Sequence, residues 1–346
     1  MKIILANPRG FCAGVNMAIE VVNKVLELRG SPIWVYHEIV HNRHVVDRFR
    51  DRGVIFVNAL EEVPQGSVVI FSAHGVSPQL REEAKKRNLM AIDATCPLVT
   101  KVHMEAIRYA RKGYQVLLIG HRGHDEVVGT LGEAPEAITV IESPEEIPGL
   151  QIRDEKKLVY LMQTTLSLQD AERIIKALRE VFPDIKSPPG DDICYATTNR
   201  QKAVQLIAPE CDFVIIVGSA NSSNSVRLQE IALSLGKPAV LVDDLSALDL
   251  AQFTGSETVL ISAGASAPED LVEGIILELH DRFNAELVQH DVFREEIAFD
   301  IPVSLKNLMR QQGVDPSGKR ILTRSGSDEN VLYGGRVKLT VSAKGS

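Results

Sequence analysis

Short apolar runs alternate with helical periodicity along most of the chain. The runs at 2–5, 33–36, 68–71, 116–119, 159–162, 213–217, 239–242 and 259–261 read as strands. Over 15–29, Val15, Ala18, Ile19, Val22 and Leu26 share one face, which predicts a helix stopped by Gly30. Continuous apolar strands separated by helices are the signature of α/β units with mainly parallel sheets.

Five of these strands run into small, polar loops. They are Ser72-Ala73-His74-Gly75, Gly120-His121-Arg122-Gly123-His124, Gln163-Thr164-Thr165, the stretch from Gly218 to Asn224, and Ser262-Ala263-Gly264-Ala265-Ser266. Ordinary βα turns use the same residue types, so one such loop says little. Five of one character point to ligand binding beyond the carboxyl ends of parallel strands, where glycine lets the backbone approach and hydroxyl, amide and imidazole groups supply hydrogen bonds.

Composition narrows the function. Over 346 residues the net charge is -8, with 45% hydrophobic, 24% charged and only 5% aromatic residues. An acidic chain so poor in aromatics is not a nucleic-acid binder, although helix N-termini and histidines can still make a local anion pocket. No basic start with a long apolar stretch opens the chain and no run reaches membrane-spanning length, so a cytoplasmic protein is expected. The four cysteines are far apart, without a CxxC pair, which fits neither a zinc ribbon nor a disulfide framework.

Cys12, Cys96 and Cys194 each lie at or just before a predicted helix N-terminus. Cys12 precedes the helix near Val15; Cys96 precedes Pro97, suited to a first helical position; Cys194 precedes Thr198-Asn199-Arg200-Gln201, a capping-box pattern. A helix start favours a thiolate and the negative charge of a metal cluster. Separate packing cysteines, a mononuclear or trinuclear metal site, and an iron-sulfur cluster all fit these positions. In a 4Fe-4S cluster, three protein ligands leave one iron open to substrate. Cys211, just before the strand at Phe213, reads as a buried packing residue. The spacings of 84 and 98 residues between the three are near equal, hinting at three similar units.

His41, His74 and His124 occupy polar junctions, suited to phosphate, and Glu126 would become a general acid if buried. Gly10-Phe11-Cys12-Ala13-Gly14 is not a nicotinamide fingerprint. Asn-Pro-Arg-Gly-Phe-Cys-Ala-Gly (7–14), Tyr-His-Glu-Ile-Val-His-Asn (36–42), Phe-Ser-Ala-His-Gly-Val-Ser (71–77), Asp-Ala-Thr-Cys-Pro-Leu-Val (93–99), Gln-Thr-Thr-Leu-Ser (163–167), Asp-Asp-Ile-Cys-Tyr-Ala-Thr-Thr-Asn-Arg-Gln (191–201), Asn-Ser-Ser-Asn-Ser (221–225) and Ala-Gly-Ala-Ser-Ala-Pro (263–268) follow in order. In these motifs the chain, over about residues 1–303, resembles the 4-hydroxy-3-methylbut-2-enyl diphosphate reductase (LytB) family.

The resemblance implies three α/β units arranged pseudo-threefold around a central 4Fe-4S cluster, held by Cys12, Cys96 and Cys194 with one iron not ligated by protein. The units would span 14–96, 97–190 and 191–281, the last completed by 1–13. Residues 282–346, weakly periodic and rich in turn residues, would be partly peripheral or disordered. The diphosphate would be bound by His41, His74, His124, Ser222, Ser223, Asn224 and Ser266, with Thr164 and Glu126 near the substrate hydroxyl. The implied reaction is reductive dehydroxylation to isopentenyl and dimethylallyl diphosphate, the last step of the methylerythritol phosphate route, with electrons from a donor such as ferredoxin or flavodoxin. A non-redox hydro-lyase with an open-iron cluster is the alternative; it would need no reductant. Arg122 and Asp125 replace the small residue and proline of some relatives, which bears on the shape of the His124 loop.

Overall fold

The computed structural model describes residues 1–325 and 332–343. From the N-terminus, β1 (Lys2–Asn7) leads through the Cys12 loop into α1 (Ala13–Arg29). Then β2 (Ile33–Tyr36), α2 (Arg43–Arg50), β3 (Val54–Val57), β4 (Val68–Phe71), α3 (Pro78–Lys86) and β5 (Met90–Asp93) build a parallel sheet ordered β3-β2-β4-β5. Next come α4 (Pro97–Arg111), β6 (Gln115–Ile119), α5 (Asp125–Glu133), β7 (Ile138–Ile141), β8 (Leu158–Met162) and α6 (Leu168–Val181). Their parallel sheet is ordered β7-β6-β8.

The third stretch contains α7 (Tyr195–Ile207), β9 (Phe213–Val217), α8 (Ser223–Ser234), β10 (Ala239–Val242), β11 (Thr258–Ala263), α9 (Glu269–Phe283) and β12 (Glu286–Asp291). It is followed by β13 (Glu295–Asp300), α10 (Val303–Gln311), β14 (Arg320–Ser325), β15 (Leu332–Tyr333), β16 (Val337–Lys338) and β17 (Thr340–Ala343). The largest sheet is ordered β10-β9-β11-β1-β12-β17 and is parallel throughout. β1 thus leaves its sequence neighbours and inserts between β11 and β12, pairing Lys2 with both Thr258 and Glu286. The molecule is an α/β protein with three parallel sheets.

Central strands are apolar on both faces because helices cover both sides of each sheet. Every residue of β4, β6 and β8 is buried. The C-terminal segment departs from expectation over its described residues. In α10, Leu305, Leu308 and Met309 are at most 1% exposed and pack into the core beside β2, β4 and α1. Their i, i+3, i+4 spacing makes one apolar stripe, which is why the helix docks. Ser304 Oγ accepts from Asp93 N at 3.1 Å, β14 pairs with β13, and β17 extends the largest sheet. Residues 326–331 and 344–346, part of the segment expected to be disordered, lie outside the described residues.

Candidate active site

Each of the three cysteines is the N-cap of a helix: Cys12 of α1, Cys96 of α4 and Cys194 of α7. One backbone device recurs at all three. The cysteine N–H donates to a carbonyl in the loop after a parallel strand: Cys12 to Ala265 (3.2 Å), Cys96 to Ala73 (3.0 Å) and Cys194 to Thr164 (3.0 Å). The cysteine carbonyl then accepts the first helical bond, from Asn16, Thr100 and Thr198 respectively. Each thiol is therefore carried where a strand-end loop meets a helix start, and the three line one cavity.

The Cys194 helix begins earlier than the capping-box pattern suggests. Its first residue is Tyr195, and Cys194 Sγ itself accepts from Thr197 N at 3.4 Å. Sulfur substitutes for the usual capping oxygen, because the first-turn N–H groups need an acceptor. Thr197 Oγ1 also lies 3.2 Å from this sulfur, and Tyr195 Oη accepts from Ala13 N at 3.1 Å, tying the start of α1 to that of α7. Thr197 and Tyr195 were missed in the sequence because the helix was taken to start at Thr198; reading Cys194 as a cap would have placed Thr197 in the first turn.

The thiols crowd one another. Burial pushes the Cys96 thiol far up, and Cys12 and then Cys194 add to the shift. Burial, with Cys12 next, pushes Cys194 up to about 11. Three mutually repelling thiolates without a counter-cation are unfavourable, and a metal centre would reverse that balance. A Cβ at Gly14 would stand 2.6 Å from Cys96 Sγ and 3.8 Å from Cys12 Sγ. Only glycine fits this approach without displacing a sulfur. A soft, all-sulfur donor set in a closed cradle suits an iron-sulfur cluster.

The same cavity is lined by a cluster of imidazoles. The His41 and His74 rings stack at 4.0 Å between centroids, and His124 meets them edge-on at 5.4 and 5.8 Å. His41 follows β2, His74 follows β4, and His124 is the N-cap of α5, its Nδ1 accepting from Glu126 N at 3.2 Å. Burial, then the charge of His41, lowers His124 to about 4; the same causes hold His74 well below the ordinary range. An anion entering beside His74 and His124 would favour their protonated forms and oppose this lowering.

The third wall comes from α8 and the loop after β11. Ser222 is the N-cap of α8, and Ser223 and Asn224 form its first turn, so the positive end of the helix dipole borders the cavity. Asn224 Oδ1 accepts from Ala265 N at 3.0 Å. Ser266 Oγ donates to His41 O at 2.8 Å, joining this wall to the histidines.

Glu126, in the first turn of α5, is 2% exposed. Thr164 N donates to its Oε1 at 2.6 Å and Thr164 Oγ1 to its Oε2 at 2.8 Å. Burial raises this carboxyl to about 7, although the two Thr164 bonds pull the other way. It is a carboxyl that exchanges a proton near neutrality, coupled to a hydroxyl that faces the cavity.

The structure therefore gathers Cys12, Cys96, Cys194, His41, His74, His124, Glu126, Thr164, Ser222, Ser223, Asn224 and Ser266 around one cavity. Cys211 is elsewhere, 1% exposed in the core with Ile207 and Val214. Arg122 and Asp125 do not open the His124 loop. Arg122 bonds Glu142 and Glu146, and Asp125 Oδ1 meets His37 Nδ1 at 2.8 Å. That last pair joins the end of β2 to the start of α5. His37 has a φ of 57°, a left-handed backbone that costs a non-glycine residue roughly 1 kcal/mol or more.

Fold and site together define an α/β enzyme whose cavity, at the loops after its parallel strands, is lined by three thiols, three imidazoles and the N-terminus of α8. The chain belongs to the LytB protein family, whose model matches residues 3–280. A 4-hydroxy-3-methylbut-2-enyl diphosphate reductase of Rhodopirellula baltica is 54% identical over 312 residues, covering 90% of this chain and 98% of the relative. That of Nocardia farcinica is 53% identical, covering 89% and 92%. Among solved structures, the E-1-hydroxy-2-methyl-but-2-enyl-4-diphosphate reductase of Plasmodium falciparum superposes with a TM-score of 0.86 at 38% identity, over 90% of this chain and 99% of that one.

Proposed function

We propose that this chain reduces (E)-4-hydroxy-3-methylbut-2-enyl diphosphate to isopentenyl and dimethylallyl diphosphate, using a 4Fe-4S cluster held by Cys12, Cys96 and Cys194. The observation that carries the reading is the repeated geometry of three cysteine N-caps that line one cavity together with the histidine cluster. When bound, the cluster would supply electrons and, at an iron without a protein ligand, a Lewis acid.

The chain's own residues do the rest. The diphosphate is held by the imidazoles of His41, His74 and His124, by Ser222, Ser223, Asn224 and Ser266, and by the N-terminus of α8. Val15, Val40, Leu98 and Val99 line the cavity and exclude water around the five-carbon chain. Glu126 stores a proton at Oε2, and Thr164 Oγ1, 2.8 Å away, passes one to the departing hydroxyl as it leaves as water. Two electrons and two protons are consumed per turnover: one proton leaves with the hydroxyl as water, and the second adds to one or the other end of the allylic carbon unit to give dimethylallyl or isopentenyl diphosphate. A one-electron protein donor such as ferredoxin or flavodoxin is therefore needed. The reaction belongs in a reducing, cytoplasmic compartment; no helix among the described residues is long and apolar enough to cross a membrane. A hydro-lyase reading has no support among the relatives, which are named reductases.

Anaerobic reconstitution with iron and sulfide, followed by the allylic diphosphate and a low-potential reductant, tests the proposal. Both products are expected; tight binding without conversion would overturn it. Gly14→Ala is expected to weaken iron retention roughly tenfold by displacing Cys96, measured as iron per chain after desalting. Retention equal to wild type would show that the cradle is looser than the Gly14 contacts imply. Turnover should decline as pH rises through about 7, because the raised pKa of Glu126 means the proton store empties there. The anionic substrate moves this limb upward, so kcat should fall at higher pH than kcat/KM. A flat profile from pH 6 to 9 would argue against Glu126 as the store.

A further inference from the structure

Arg200 is 0% exposed, and its guanidinium touches the supports of two of the three thiols at once. Its Nε and Nη2 donate to Gly10 O at 3.2 and 2.9 Å, two residues before Cys12. Its Nη1 donates to Ala196 O at 3.0 Å, two residues after Cys194. Neither carbonyl lies within a strand. Gly10, with φ 64°, is at the bend of the Cys12 loop, and Ala196 is in the first turn of α7.

The charge of Arg200 is balanced by Glu295, 2% exposed at its side chain, with Nη1 3.2 Å from Oε1. Glu295 also accepts from Asn199 Nδ2 at 3.0 Å. Glu295 opens β13, beyond the 3–280 stretch matched by the family model. Other groups from this segment grip the same loop. Asn7 Nδ2 donates to Asp291 Oδ1 at 2.8 Å, Arg9 donates to Gln289 Oε1 at 3.1 Å and Tyr333 Oη at 2.6 Å, and Asn16 Nδ2 donates to Thr323 Oγ1 at 2.8 Å. Asn16 is the residue whose N–H binds Cys12 O.

We propose that Arg200 is a positioning residue that fixes the Cys12 loop against the Cys194 helix, and that Glu295 and Thr323 of the C-terminal segment clamp this arrangement. The inference rests on the cluster reading above. Groups behind metal ligands set ligand orientation and metal retention even without touching the metal. Here one guanidinium sets the separation of two ligand-bearing backbones, and the C-terminal segment supplies the counter-charge that allows it to be buried.

The test is the lifetime of the reconstituted cluster's visible absorbance in air, read alongside the Tm of each full-length protein. Glu295→Gln alone leaves a buried charge unpaired and can fail to fold. The double variant Arg200→Met, Glu295→Leu removes both charges, and is expected to fold with a Tm near wild type yet lose its cluster about 10-fold faster. Thr323→Val breaks only the bond to Asn16 and should shorten the lifetime by about twofold at nearly unchanged Tm, which keeps the test open if the double variant does not fold. Lifetimes that follow Tm alone, or match wild type in both variants, would overturn the clamp. Wild-type protein that takes up no cluster would instead overturn the ligand assignment beneath it.

Discussion

Replacing Glu126 by Gln is expected to lower kcat by about 10²–10⁴-fold while leaving the Kd for the diphosphate nearly unchanged. The swap preserves size, and the amide oxygen can still accept from Thr164 N. The amide nitrogen, however, replaces Oε2 at the 2.8 Å contact with Thr164 Oγ1; like the protonated carboxyl it can donate there, but it has no proton to release. The hydroxyl can still give its proton away, but nothing replaces it. The exchange keeps the backbone bond from Glu126 N to His124 Nδ1 and touches no other group of the histidine wall, which is why binding should survive. Isothermal titration with the diphosphate and single-turnover kinetics on the reconstituted variant separate the two effects. Wild-type turnover by Glu126→Gln would remove the carboxyl from the proposed mechanism.

A comparably large effect is expected from Cys96→Ser. Serine fits the same space and caps the same helix, so the fold should form. Its hydroxyl is harder and far less acidic than a thiol, and burial that already disfavours the Cys96 thiolate disfavours an alkoxide more. Reconstituted Cys96→Ser should show no intact 4Fe-4S absorbance or electron-paramagnetic signal, and turnover should drop by more than about 10³-fold. Cys211→Ser is the matched control. It puts a smaller, more polar group into an apolar core beside Ile207 O, which the Cys211 thiol already bonds, at a cost of about 1 kcal/mol, seen as a lower Tm, with cluster and activity retained. Equal cluster loss in both variants would mean that general instability, not ligation, accounts for the Cys96 result.

The central strands were legible because burial on both faces demands unbroken apolar runs; those at Ile33–Tyr36, Val68–Phe71 and Phe213–Val217 coincide with the sequence reading, as does the edge strand Ala239–Val242, whose run is apolar although only partly buried. The edge strands β3, β5 and β7 escaped it. Each is partly exposed; Ala91 and Asp93 interrupt β5 and Thr139 interrupts β7, whereas β3 is an unbroken run of four apolar residues. β12 escaped too, because Gln289 and His290 are buried polar residues in an otherwise apolar sheet. The tail looked peripheral because its short apolar stripe gains meaning only when α10 meets the core.

By itself the sequence marked the candidate groups: widely spaced cysteines near helix starts, histidines and hydroxyls in loops after strands, and one glutamate beside a histidine. These are local signals, set by capping and turn preferences that a few neighbouring residues specify. Only the tertiary structure decided that Cys194 is itself a helix cap, that Gly14 must be small to admit Cys96, and that Thr164 and Glu126 form one hydrogen-bonded pair. It alone brought Arg200 and Glu295 together behind two of the thiols. Such relations join residues far apart in the chain, and their energies depend on distance, burial and shared charge, none of which exists until the sheets and helices pack.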